Sequence, residues 1–255
     1  MAQWTWVAAA CRGTSHERSG TRLQDSKYCF VHKGKRGQDT FVSVISDGAG
    51  SASHGGEGSV LVCRIIGSKI REHFRLSESI PEEARIESWV NMARDMINIA
   101  ATKRSKTSRD FAATLVMAIS NANTTVVAQI GDGCVVLKDI ATNQWIAPTW
   151  PDHGEYASTT CFVTDDPIIC PTFKYIDAPI SALASFSDGL ERLALDLVLR
   201  KPYAKFFEGV CRPLFVTSVI GREQGLSDQL KYYLNSTQIN ERTDDDKTLV
   251  LAVTK

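Results

Sequence analysis

Apolar residues along this chain fall into two periods. Short runs such as WTWVAAA, YCFVHK, TFVSVIS, FAATLVMAIS, TVVAQI, CVVLKDI, QWIAP, FKYIDA, ALASFS and TLVLAV read as strands, bounded by Gly, Asn, Asp and Pro. Between the third and fourth runs the period changes to three and four. Val62, Ile65, Ile66, Ile70 and Phe74 form one helical stripe, and Ile86, Trp89, Val90, Ala93, Ile97 and Ala100 form another. The second helix starts at Pro81-Glu82-Glu83 and ends in KRSK, charges that suit the two poles of the helix dipole. Late in the chain, Leu190, Leu193, Ala194, Leu197 and Val198 predict a helix, and YAKFFEGVCRPLF and LSDQLKYYLN predict two more. The glycine-rich DGAGSASHGGEGS and the long TWPDHGEYASTTCFVTDDPIICP have no core pattern; the latter is a candidate flap.

This order is strands, two helices, many strands, helices and one last strand. It does not alternate as a doubly wound sheet would. It predicts an α+β protein in segregated layers, sheets packed centrally and helices outside. The final strand must pair with strands far earlier in sequence, so one domain over residues 1–255 is expected. Within 255 residues, 43% are apolar and 23% charged, enough for a sizeable core. With 29 basic and 29 acidic residues there is no basic excess to favour nucleic acid or an anionic membrane. Seven cysteines with no CxxC pair argue against a disulfide framework or zinc site. No signal-peptide pattern and no run of about 20 apolar residues is present, so a cytoplasmic protein is expected.

The chemistry is concentrated at strand tips. VSVISDG, VVAQIGDG and ALASFSDG each end in Asp-Gly, at Asp47-Gly48, Asp132-Gly133 and Asp188-Gly189; the last strand opens on Asp244-Asp245-Asp246. Singly these have ordinary explanations: Asp-Gly makes hairpin turns, Asp188 or Ser187 can cap a helix, and the triplet can be a solvated turn. Four together are better explained by a metal site, because turn chemistry does not require Asp each time. Hard divalent cations such as Mg²⁺ and Mn²⁺ take carboxylate, carbonyl and water oxygens. Two such ions roughly 3.5–4 Å apart can lower the pKa of a shared water and aim it at phosphorus. Nucleotide P-loop, dinucleotide, EF-hand, serine-elbow and zincin signatures are absent. His54 reads as a solvated histidine rather than a ligand, with proton transfer as the alternative role.

In their order, these motifs resemble the metal-dependent serine/threonine protein phosphatases of the 2C type. VISDGAGS is similar to that family's D-G-x-G-G segment, IGDGCVVL to its G-D-S-R strand pair, SFSDG to its S-D-G, and TDDDKTLVLAV to its closing D-N-x-T strand. Gln24-Asp25 stands at its N-terminal acidic motif. RDFAATL, GDG, GEYAS and NERTDDDKTL resemble a bacterial subgroup. The resemblance implies a four-layer α-β-β-α sandwich with two central antiparallel sheets and two or three Mn²⁺ or Mg²⁺ ions at one end. It implies Asp47 bridging two metals with the Gly48 carbonyl, Asp188 and Asp245 completing one shell, Asp132 with Asp188 holding a third ion, and Asp25 acting directly or through water. Asp47, Asp188 and Asp245 are thus the expected catalytic set. Lys247 and the other acids of the triplet would orient ligands.

The family's histidine after D-G is Ala49, and its phosphate-gripping arginine has no clean match: His16, Arg18 and Arg22 are available, with Arg22 favoured and His16 next. Residues 152–160 occupy the variable flap. The implied activity is hydrolysis of phosphoserine and phosphothreonine in proteins by direct attack of a metal-bridging water, opposite a partner kinase. Two rivals are a phosphatase-like module that docks a kinase or sensor, and a phosphodiesterase or nuclease, which the neutral charge disfavours.

Overall fold

The computed structural model describes residues 2–35, 37–152 and 160–255. Two sheets form its centre. The first runs β12 (Gly221–Arg222), β1 (Trp4–Cys11), β13 (Lys247–Thr254), β9 (Ile180–Phe186), β6 (Cys134–Asp139), β7 (Trp145–Ile146). The second runs β2 (Ser26–His32), β3 (Thr40–Ser46), β4 (Leu115–Ser120), β5 (Thr124–Ile130), β8 (Thr172–Asp177). Pairing is antiparallel except at one edge, where β12 joins β1 in parallel. That is a small departure from the all-antiparallel expectation.

The central strands read as unbroken apolar runs because both faces are covered. In β3, Phe41 and Ile45 point between the sheets, while Val42 and Val44 point the other way, against helices. In β13, Val250 and Ala252 face the second sheet and Leu249, Leu251 and Val253 face the opposite helical layer. Helices α2 (Gly55–Leu76) and α3 (Glu83–Lys103) cover the second sheet. Helices α5 (Ala204–Val216) and α6 (Gln224–Leu234) cover the first. The layers are therefore α-β-β-α. Val62, Ile66 and Ile70 have no exposed surface, each contributing about 1.5–3 kcal/mol by leaving water.

Three segments depart from the sequence reading. The stripe from Leu190 to Val198 is not one helix. A 3₁₀ turn at Asp188–Leu190 leads into the single turn α4 (Glu191–Ala194), then a hairpin of β10 (Leu195–Asp196) and β11 (Lys201–Pro202). Leu190, Ala194 and Leu195 satisfy the core, after which no apolar surface remains for Leu197 and Val198, which are exposed. Second, α2 begins inside the glycine-rich loop, at Gly55. Third, α1 (Thr14–Ser19) was not legible: it buries none of its residues and gives periodicity nothing to detect. It closes on Gly20 in the left-handed region, φ 72°. The last helix, α7 (Thr237–Asn240), is one turn before the acidic triplet.

Described parts of the long 147–171 segment are anchored. Val163 is fully buried and its N–H donates to Ala113 O at 2.8 Å; Arg94 Nε donates to Val163 O at 2.7 Å. Residues 153–159, most of the expected flap, lie outside the described residues.

Gly58 in α2 packs directly on the 3₁₀ turn Ser108–Phe111: a Cβ there would stand 2.0 Å from the Phe111 carbonyl oxygen. Helix propensity alone favours Ala by about 1 kcal/mol, but this backbone clash should outweigh it. Gly58→Ala is expected to lower stability by about 1–3 kcal/mol in urea denaturation. A variant as stable as wild type, or more so, would show that the turn is not held against α2.

Candidate metal centre

Strand register within each sheet, and the packing of the two sheets, bring the acids together. In the second sheet Ser26 pairs with Ser46, so Asp25, just before β2, and Asp47, just after β3, leave at the same end. In the first sheet Phe186 pairs with both Cys134 and Leu249. Asp132 before β6, Asp188 after β9 and Asp245 before β13 therefore emerge at one end too. Asp47, Gly48, Asp132, Asp188, Asp245 and His16 all line one cleft of about 800 Å³. Asp25 lies beneath, 7% exposed.

Each carboxylate is set by backbone geometry. Asp47 N donates to Thr114 Oγ1 at 3.0 Å and Asp47 O accepts from Thr114 N at 2.8 Å. Gly48 passes so close to the start of α2 that a Cβ would meet Gly55 C at 2.2 Å, and its carbonyl accepts no hydrogen bond among the described residues. Ser187 Oγ ties three elements: it donates to Asp25 Oδ2 at 2.7 Å and accepts from Thr248 N at 3.0 Å. Asp25 Oδ1 is buried without a hydrogen-bond partner. Thr160 Oγ1 donates to Asp132.

The triplet divides its labour. Asp244 is exposed, pairs with Arg18 at 3.1 Å, and through its carbonyl accepts from Ser15 N and Oγ at 2.9 and 2.6 Å. Asp245 faces the cleft. Asp246 is 2% exposed and acts as a clasp. Its Oδ1 accepts from Gly13 N at 2.7 Å and stands 3.0 Å from His16 Nδ1, while Oδ2 accepts from Gln24 N at 2.6 Å. The Asp246–His16 contact is within ion-pair distance but off the angle of a good hydrogen bond. Asp246 thus fixes both α1 and the segment before Asp25.

Burial first, then the charges of Asp25, Asp188 and Asp245, hold Asp47 far above the usual carboxylate range. Burial, with Asp132 and Asp245, does the same to Asp188. Asp245 is raised chiefly by burial. Burial pushes Asp25 up to about 6, opposed by the polar groups of Thr248, Ser187 and Asp47 around it. Among the described residues no three His, Cys, Asp or Glu side chains close into a tight ion cage. The acids are nevertheless electrostatic neighbours, since after burial the charges of other acids of the set raise both Asp47 and Asp188. The donor set is all hard oxygen, with a spare carbonyl at Gly48 and a bare buried oxygen on Asp25. It fits Mg²⁺ or Mn²⁺.

The other residues singled out from sequence are dispersed. Arg22 is exposed and does not line the cleft. His54 is not simply solvated: its ring stacks on Phe111 at 4.9 Å and contacts Ser53 Oγ at 2.8 Å. Lys247 is fully buried and donates to Asn240 Oδ1 at 2.8 Å. The seven cysteines are free thiols, none of them lining this cleft. Sequence reasoning missed the clasp role of Asp246 and the presence of Arg109 in the cleft, although RDFAATL was already a quoted motif.

For Asp25, a folded pKa above the unfolded value means a contribution that is intact below about pH 4 and lost as pH rises through about 6. In chelator, the stability of wild type relative to Asp25→Asn should therefore fall by on the order of 2–3 kcal/mol between pH 4 and pH 7. Urea titrations at several pH values read this directly. A difference that stays constant or grows with pH would contradict the burial of an uncompensated carboxylate there.

Comparison with known proteins places this architecture. The family described as Protein phosphatase 2C matches residues 12–235. The chain is 32% identical over 254 residues to serine/threonine-protein phosphatase 3 of Escherichia coli (strain K12), covering 98% of both. Among solved structures, a bacterial serine phosphatase superposes with TM-score 0.65 at 16% identity, covering 98% of this chain and 97% of that one. The catalytic domain of the phosphatase PstP, crystallised with two manganese ions, gives 0.64 at 15% identity, covering 100% and 99%. The chain belongs to the protein phosphatase 2C family.

Proposed function

We propose that this chain is a Mn²⁺- or Mg²⁺-dependent phosphatase that hydrolyses phosphoserine and phosphothreonine in proteins. The observation that carries the reading is the convergence of four buried or half-buried carboxylates, Asp47, Asp132, Asp188 and Asp245, on one cleft, with a fifth, Asp25, buried beside them. Family membership and the name of the E. coli relative support it. Asp47, Gly48, Asp188 and Asp245 would hold two ions, Asp132 with Asp188 a third, and Asp25 would act directly or through water. When bound, such ions neutralise the carboxylates, activate water and polarise a phosphoryl group.

The chain's own residues supply the positioning. Ser187 fixes Asp25, Thr114 fixes the turn of Asp47, and Asp246 holds α1 so that His16 faces the cleft, where it would meet substrate. Ala49 leaves no histidine after the Asp-Gly of the first motif. The substrate is a phosphoprotein and the opposing partner a serine/threonine kinase, in the cytoplasm, with residues 1–255 acting as one domain. Among the described residues no helix is long and apolar enough to cross a membrane. A docking module without catalysis is not favoured, because such a module has no use for every carboxylate of the cleft.

Wild type should hydrolyse a phosphothreonine peptide with Mn²⁺ and stop in chelator. Asp188→Asn should lose more than the roughly 10–100-fold typical of a residue that only supports a ligand, while keeping wild-type circular dichroism. Full turnover by that variant, or by the chelated protein, would exclude the metal reading. No turnover by folded, Mn²⁺-loaded wild type would favour the docking module.

A further inference from the structure

The cleft that suits cations is hostile to its own substrate. A phosphomonoester carries between one and two negative charges near neutrality, and it must approach past Asp165 and Asp166 as well as the central acids. Among the described residues lining the cleft, Arg109 is the sole Lys or Arg. Its guanidinium makes no ion pair or hydrogen bond to any described residue.

That freedom is built in. The adjacent Asp110 is fully engaged elsewhere: Oδ2 accepts from Thr107 N at 3.0 Å and Thr107 Oγ1 at 2.9 Å, and Oδ1 accepts from Ser53 Oγ at 2.8 Å. Arg104, the other cation nearby, is paired with Glu57 and lies over the Phe111 ring. The backbone that carries Arg109 is rigid. Phe111 is fully buried under His54, His54 N donates to Asp110 O at 2.8 Å, and Ala49 N donates to Ala112 O at 2.9 Å. Thr114, three residues beyond Phe111, is the hydrogen-bond partner of Asp47. An exposed side chain thus springs from a turn tied by hydrogen bonds to the Asp47 loop.

We propose that Arg109 grips the substrate phosphoryl group, the role that sequence reading gave to Arg22. The inference rests on the phosphatase reading of the cleft. A planar guanidinium can donate two parallel hydrogen bonds to two phosphoryl oxygens, which an ammonium cannot reproduce. It would supply positive charge on the substrate side while the carboxylates remain committed to cations. An exposed arginine is more often only a surface side chain, and Arg192 and Arg242 line an adjoining hollow that shares Asp132, Asp188 and Asp245; Arg109 is distinguished by sharing the cleft with Asp47 and by the engaged state of Asp110 beside it.

The test compares wild type, Arg109→Ala and Arg109→Lys, with Mn²⁺, on a phosphothreonine peptide. It reads KM, the inhibition constant of inorganic phosphate, and the Mn²⁺ concentration for half-maximal rate. Arg109→Ala should raise KM and the phosphate constant roughly 10- to 100-fold, as expected for lost charge-assisted hydrogen bonds, with the Mn²⁺ requirement unchanged. Arg109→Lys should recover part of the loss. Wild-type KM and phosphate inhibition in Arg109→Ala would overturn the proposal and leave the phosphatase reading intact; so would a Mn²⁺ requirement that rises as much as KM. Should wild type show no turnover, the phosphatase reading fails. Equilibrium binding of the same peptide to Mn²⁺-loaded wild type and Arg109→Ala then decides Arg109 by itself, with binding at least tenfold weaker in the variant supporting the proposal and equal binding overturning it.

Discussion

Repulsion between carboxylates forced together at the ends of buried strands is the constraint around which this molecule is built. Asp47 and Asp188 are each held above their ordinary range by burial first and by other acids second. An isolated fold would relieve that strain by turning one strand end outward. Here register forbids it: Ser26 against Ser46, and Cys134 and Leu249 both against Phe186, fix which residues leave the sheets together. A one-residue slip would send every apolar side chain of a strand to the wrong layer. The cores between and outside the sheets therefore hold the acids in place, and a divalent cation is the natural counter-charge.

Small residues and engaged acids tighten the arrangement. Gly48 and Gly189 each sit where a Cβ would collide with backbone, at Gly55 and at the Asp246 carbonyl respectively. These close approaches bring the start of α2 against the Asp47 loop and the Asp188 turn against the triplet. Asp246, unlike its neighbours in sequence, spends both oxygens on Gly13, His16 and Gln24. Three adjacent aspartates thus serve three purposes: one pairs with α1 at the surface, one faces the cleft, and one pins the N-terminal segment to the last strand.

Much of this was legible in sequence, for identifiable reasons. Strands such as TFVSVIS and TLVLAV are buried on both faces, and continuous apolar runs ending in Asp announce both the layer and the tip. Helices α2 and α3 carry long stripes, so their period was plain. What failed had little periodic signal or a misleading one. Helix α1 buries nothing and is held by hydrogen bonds to the triplet. Leu197 and Val198 continue a stripe whose core partners end at Leu195. Of the two residues weighed for gripping phosphate, Arg22 was ranked ahead of His16; packing leaves Arg22 exposed and puts His16 in the cleft. Arg109 lies more than 80 residues from Asp25 along the chain, and the pairing of β3 with β4, with the bonds of Ala49 and His54 to its turn, brings it to the Asp47 loop.

Whether the convergent acids hold divalent cations can be read from anomalous diffraction at the manganese edge, on crystals grown with Mn²⁺. At least two strong peaks are expected in the cleft, each within about 2–2.5 Å of carboxylate oxygens, with Asp47 and Asp188 among the ligands. Peaks only elsewhere, or none at saturating Mn²⁺ in crystals that keep the cleft open to solvent, would contradict a cation-holding role for these acids.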